Sequence, residues 1–68
     1  MAFNYSNLWK LLEKKKMNKE ELRQSIGMSS ATLAKLGKNE IISMDVIARI
    51  CESLKCDVGD IVSYVEED

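Results

Sequence analysis

The 68-residue chain has no histidine and no proline, only three glycines, two cysteines, one tryptophan and one phenylalanine. Each scarcity removes a class of function. Without histidine there is no imidazole to act as general base or metal ligand. A structural zinc site needs four ligands, and Cys51 and Cys56 supply two, so no metal or cofactor is expected. No glycine-rich phosphate loop is present and no cysteine has a base beside it, which argues against an enzyme. No apolar run is long enough to span a bilayer, and the opening MAFNYSNLWK lacks the basic start and long apolar stretch of a signal peptide. A cytoplasmic setting is therefore expected, with both thiols reduced and filling gaps in the core.

What is present is a helical chain. Hydrophobic residues make up 46% of it, and the lack of proline removes the strongest helix breaker. The length suits one domain, residues 1–68, and a chain this short buries only about 60% of its unfolded surface. Little room is left beside the core for a ligand pocket of ~300 Å³ or more.

The net charge of −1 opposes nucleic-acid binding, but its distribution does not. Residues 1–40 carry eight basic and four acidic groups, a net of +4; residues 41–68 carry two basic and seven acidic groups, a net of −5. A phosphate responds to charge within about a Debye length, ~8–10 Å, rather than to the sum over the chain.

Apolar spacing predicts five helices. Tyr5, Leu8, Trp9 and Leu12 recur at i, i+3, i+4 and i+7, giving a first helix over about 5–16, with Asn4 as N-cap. The lysines 14–16 at its far end suit the negative pole of the helix dipole, as a solvated end or as a phosphate contact. Asn18 and Glu21 have capping-box spacing and start a second helix, 19–26, with Leu22 and Ile26 inward. Gly27 interrupts it, and positive φ is expected there. Ser29 or Ser30 caps a third helix, 29–36, with Leu33 and Leu36 inward and Gly37 as its stop. After a connector, Lys38 to Ile42, Ser43 caps a fourth helix over 44–55 carrying Val46, Ile47, Ile50, Cys51 and Leu54. Asp57, with Asp60 as box partner, opens a fifth over 58–65 carrying Val58, Ile61, Val62 and Val65. The tail Glu66-Glu67-Asp68 is expected to fray. No alternating strand pattern longer than a few residues is visible.

The stretch KEELRQSIGMSSATLAKL, Lys19 to Leu36, is thus two short helices joined at a glycine. One helix crosses the other and one face of the second remains available to a partner. In small chains that face most commonly enters the major groove of DNA.

With its helix-turn-helix in the second and third of five helices, the chain resembles the lambda-repressor-like, Cro/Xre-type DNA-binding family. Leu22, Ile26, Gly27, Met28, Leu33 and Leu36 fill the six positions the family expects in the bihelical unit. The later run Asp45 to Leu54, then Cys56-Asp57 and Asp60-Ile61, is similar to the later helices of a compact branch. Two positions depart. Arg23 stands where alanine is usual, and its stem is expected to cover apolar surface while the guanidinium reaches solvent or an acid. Gly37-Lys38-Asn39-Glu40 replaces the usual acidic residue, asparagine and glycine.

The resemblance implies an all-α fold and double-stranded DNA as partner. Phosphate contacts would fall to Asn18, Lys19, Ser29, Lys38 and Asn39, and base reading to Ser30, Ala31, Thr32 and Lys35 on the outer face of the third helix. A single such module buries about 600–1,000 Å² on DNA, so a homodimer is expected, through Ile41, Ile42, Tyr64 and Val65. The implied activity is transcriptional regulation, as a repressor. The competing reading is a helix-turn-helix scaffold for protein contact, an antitoxin-like accessory module, favoured by net acidity and a recognition helix of small residues.

Overall fold

Local side-chain caps set the starts of the second, third and fourth helices. The side chain of Asn18 accepts the Glu21 amide at 2.7 Å while the Glu21 carboxylate accepts the Asn18 amide at 3.0 Å, a complete capping box that opens α2, Lys19–Ile26. Ser29 rather than Ser30 caps α3, Ser30–Gly37, its hydroxyl accepting the Thr32 amide at 3.1 Å. Ser43 does the same for Val46 at 3.3 Å and opens α4, Met44–Leu54. The first helix, α1, covers Ser6–Lys14, shorter at both ends than 5–16. Tyr5, not Asn4, holds its cap position; the Asn4 side chain accepts the Ser6 amide at 2.7 Å instead. This computed structural model describes residues 2–66, so Glu67 and Asp68 of the expected fraying tail lie outside the described residues.

Helix ends are set by left-handed residues. Gly27 has φ 68°, as expected. Gly37 does not stop α3: it is the last helical residue, and the left-handed position falls on Asn39 at φ 57°. Asparagine tolerates that conformation better than other non-glycine residues. The Glu40 amide then reaches back to the Lys35 carbonyl at 2.9 Å, satisfying an end carbonyl. Lys16 (φ 57°) and Lys55 (φ 55°) end α1 and α4 in the same way, with Met17 donating to Leu12 at 2.9 Å and Cys56 to Cys51 at 3.1 Å.

The fifth helix does not form. The Asp57–Asp60 capping box is present, with the Asp57 amide donating to Asp60 at 3.0 Å, but it opens only one 3₁₀ turn, Val58–Asp60. The chain then extends into β2, Ser63–Val65, antiparallel to β1, Ala2–Asn4, with Ala2 opposite Val65, Phe3 opposite Tyr64 and Asn4 opposite Ser63. The described fold therefore has four α-helices and a two-stranded sheet, not five helices. The physical reason lies in composition. Gly59 weakens a helix, while β-branched and aromatic residues from Ile61 to Val65 favour extended backbone once a partner strand exists. Phe3 and Tyr64 supply that pairing, their rings edge to face at 5.6 Å.

Ten apolar residues close the core: Tyr5, Leu8 and Leu12 from the first segment, Leu22 and Met28 around the turn, Leu36 from α3, Ile47, Ile50 and Leu54 from α4, and Ile61 beyond the 3₁₀ turn. Every α-helix thus contributes, and α2 packs against both α3 and α4. Cys51 and Cys56 are half-buried against this core as thiols. Among the described residues no helix is long and apolar enough to cross a membrane.

The two glycines make opposite predictions. Gly27→Val places a branched side chain at positive φ, which costs about 1–2 kcal/mol, so the melting temperature should fall by about 4–8 °C per kcal/mol for a chain of this size. Gly37 is helical, and nothing lies within 4 Å of a Cβ added there. Gly37→Ala should therefore raise stability by roughly 0.5–1 kcal/mol. Thermal melts followed by circular dichroism check both, and a loss at Gly37 would return the helix stop to that residue.

Candidate nucleic-acid interface

The helix-turn-helix is held by contacts on the inner side of the turn. Leu22 and Leu36 are fully buried and Met28 is nearly so, which docks α3 across α2. The carbonyl of Arg23 accepts the Met28 amide at 2.9 Å, and the Arg23 guanidinium donates to the Met28 carbonyl at 3.2 Å. The same guanidinium grips Glu20 one turn back, Nε lying 2.9 and 3.0 Å from its two oxygens. Arg23 thus fits a position where the family usually has alanine by folding along its own helix and bracing the turn. The acidic partner expected for it is Glu20. That pairing holds the Glu20 carboxyl below its ordinary range and pushes the Arg23 guanidinium higher still, the Glu20–Arg23 hydrogen bond being the main cause in each case.

With one side of α3 locked inward, the other faces solvent. Ser30, Ala31 and Lys35 are exposed, as are Ala34 and Lys38 along the same side. Thr32 is half-buried, and its hydroxyl lies 2.9 Å from that of Ser29, so the cap and this reader candidate share one hydrogen bond. A helix such as α3 is about 10–12 Å across with its side chains, which fits the ~12 Å width of the major groove.

The residues expected to meet phosphate fall into three groups. Asn18 and Lys19 stand at the start of α2, where the Asn18 oxygen is committed to the cap. Ser29 begins α3 with its hydroxyl likewise engaged. Lys38 and Asn39 follow α3, and here the fold adds a tether that spacing alone did not suggest. The Tyr5 amide donates to the Asn39 side-chain oxygen at 3.2 Å, and the Tyr5 hydroxyl donates to the Glu40 carbonyl at 2.7 Å. Burial of Tyr5 raises the pKa of its hydroxyl above the ordinary 10.0. Spacing placed Trp9 on the apolar stripe of the first helix but did not reveal its pairing with Lys19, whose ammonium lies 4.3 Å from the ring centroid.

Two apolar surfaces flank the unit. A shallow, open surface groove of about 590 Å³ runs beside Trp9, Leu12, Met17 and Lys19. A second cleft, about 220 Å³, is bordered by Phe3, Ile41, Met44 and Val62. Ile41 and Met44 at its edge are 60% and 68% exposed, and Tyr64 and Val65 on β2 are exposed as well. Ile42, grouped with these from sequence, is instead half-buried against the core. Among the described residues no three acidic, cysteine or histidine side chains gather as a metal site requires.

Comparison with known proteins agrees with this geometry. Residues 7–67 match the family model of the Cro/C1-type helix-turn-helix DNA-binding domain. The chain is 34% identical over 64 residues to YozG, an uncharacterized HTH-type transcriptional regulator of Bacillus subtilis (strain 168), a match covering 91% of this chain and 76% of that protein. It superposes on the crystal structure of the transcriptional regulator VanUg with a TM-score of 0.95 and 50% identity, covering 97% of this chain and 88% of that one.

The Tyr5 tether has a measurable signature. Tyr5→Phe removes a buried donor and should cost roughly 0.5–1.5 kcal/mol in urea unfolding at neutral pH. Because the folded-state pKa is raised, the neutral phenol contributes stability below pH 10.0, and that contribution is lost as pH rises through the folded value. The gap between parent and Tyr5→Phe should therefore narrow or reverse in alkali. A gap that does not change with pH would remove the buried hydroxyl as its cause.

Proposed function

The chain belongs to the Cro/C1-type helix-turn-helix DNA-binding family, and we propose that it is a sequence-specific transcriptional regulator, acting as a repressor, that reads the major groove with α3. One observation carries this reading: α3 is fixed by its inner leucines while Ser30, Ala31 and Lys35 project from a half of the chain that is net positive. Lys35 can donate to guanine O6 and N7, Ser30 and Thr32 to several base edges, and Ala31 can touch a thymine methyl. Asn18, Lys19, Ser29, Lys38 and Asn39 flank that face and supply backbone contacts. On this reading residues 1–68 constitute a single domain.

Direct readout from such a face is thin, since it carries no arginine, asparagine or glutamine. A homodimer doubles the contacts, and the exposed apolar residues Ile41, Met44, Tyr64 and Val65 favour pairing through the connector and β2. Two-fold pairing would set recognition helices ~34 Å apart and require inverted half-sites about one turn apart. The same apolar surface favours the second reading, a scaffold that contacts another protein. A mobility shift at low salt followed by salt titration separates the two, since only the DNA reader gives a salt-dependent complex.

Base reading and backbone contact should separate in mutants. Lys35→Ala should flatten discrimination between cognate and random duplex by up to ~1–3 kcal/mol. Lys38→Ala should weaken all sequences alike and reduce the salt slope by about 0.9. Equal effects of both changes on specific and random DNA would eliminate Lys35 as a reader.

The dimer makes its own prediction. Ile41→Glu or Val65→Glu should leave helicity intact, yield monomers in sedimentation at micromolar concentration, and lose most operator affinity. A parent that sediments as a monomer and binds a single, non-repeated site would overturn the pairing.

A further inference from the structure

We propose that Trp9 is a positioning residue for DNA-backbone binding: its indole face holds the Lys19 ammonium in place for a phosphate. The inference rests on the DNA-binding reading above and assigns a role to a residue of α1 that the helix-turn-helix itself does not contain.

The geometry is specific. Lys19 is the first residue of α2, and its Nζ lies 4.3 Å from the centre of the Trp9 ring, inside the ~6 Å range of a cation–π contact. A lysine is poorly placed there for stability alone, because the helix dipole presents partial positive charge at that end. The indole face offsets this repulsion through its negative quadrupole. It does so without neutralising the cation, which a carboxylate partner would do. The neighbouring acid, Glu20, is already gripped by Arg23. Glu13 also borders the groove beside Trp9, but among the described residues neither it nor Glu20 forms an ion pair with Lys19.

Holding the tip has a second effect. A lysine side chain is long and flexible, and fixing it on a phosphate forfeits rotamer freedom. A tip already resting on a half-buried ring loses less of that freedom on binding, which is preorganisation of a backbone contact. The ring also keeps water from one side of the ammonium, strengthening its attraction to phosphate. Trp9 itself carries no charge and reads no base, so its effect should be the same on every duplex.

A double-mutant cycle tests this with Trp9→Leu, Trp9→Phe, Lys19→Ala and the corresponding doubles, titrated against random-sequence duplex across a range of salt, with thermal melts run beside. Lys19→Ala should reduce the salt slope by about 0.9. Trp9→Leu should weaken binding about two- to fivefold on all sequences, and Trp9→Phe should restore most of that. In the Lys19→Ala background, Trp9→Leu should have no further effect. An undiminished loss in that background, or failure of Trp9→Phe to rescue, overturns the positioning role while leaving the DNA reader intact. A parent that binds no duplex at any salt overturns both. If Trp9→Leu does not fold, the Trp9→Phe cycle decides on the same criterion at smaller amplitude.

Discussion

The angle between α2 and α3 is set at Gly27, and the rest of the domain is arranged around that turn. At φ 68° the glycine lets the chain reverse within a few residues, so that Leu22, Met28 and Leu36 meet in one buried cluster. Arg23 reinforces the reversal twice, its carbonyl accepting the Met28 amide and its guanidinium donating to the Met28 carbonyl. Helix α4 and the turn beyond it then cover the inner side with Ile47, Ile50, Leu54 and Ile61. Because α3 is pinned from within, its outer face is presented as a rigid surface rather than as a loop, and a groove reader needs that.

Much of this was legible in the sequence because helix starts are local. Asn18 with Glu21, Ser29 and Ser43 are caps whose partners lie three residues away, and the structure forms each of them. The positive φ at Gly27 was legible for the same reason. Apart from the Asn4 cap and the bounds of α1, the errors lie where structure is non-local. Val58, Ile61, Val62 and Val65 keep helical spacing, yet the segment folds as one 3₁₀ turn and a strand, because its partner strand sits at the other end of the chain. A three-residue strand is too short to display alternation, and only the pairing of Phe3 with Tyr64 reveals it. Asn39 was hidden differently: Gly37 is the conventional helix stop, but the tether from Tyr5, 34 residues away, favours the left-handed turn two positions later.

The candidate site was legible as a surface more than as a set of contacts. Spacing located the outer face of α3 and the lysines around it, and Ser30, Ala31 and Lys35 are indeed exposed. It did not show that several polar groups there are already engaged. The Thr32 hydroxyl meets Ser29, the Asn18 and Asn39 oxygens serve a cap and a tether, and Lys19 rests on Trp9. Such engagement holds these side chains in fixed positions before any partner arrives, lowering the ordering cost of association.

The short segment from Lys38 to Met44 joins two surfaces with different chemistry. Its first residues, Lys38 and Asn39, border the outer α3 face with its single lysine, Lys35; its last, Ile41 and Met44, are among the most exposed large apolar side chains of the described chain. Tyr5 spans the middle, fastened to Asn39 and Glu40, and its neighbour β1 pairs with β2, where Tyr64 and Val65 extend the apolar surface. On the dimer reading, whatever covers Ile41 and Met44 fixes the separation of two α3 helices through only a few tethered residues. A face of small side chains carries little sequence information by itself. Fixed spacing between two such faces adds information that no single side chain holds, because half-sites at the wrong distance cannot both be filled. On that reading the Tyr5 tether, by fixing the connector against the first helix, would contribute to discrimination alongside the outer face of α3.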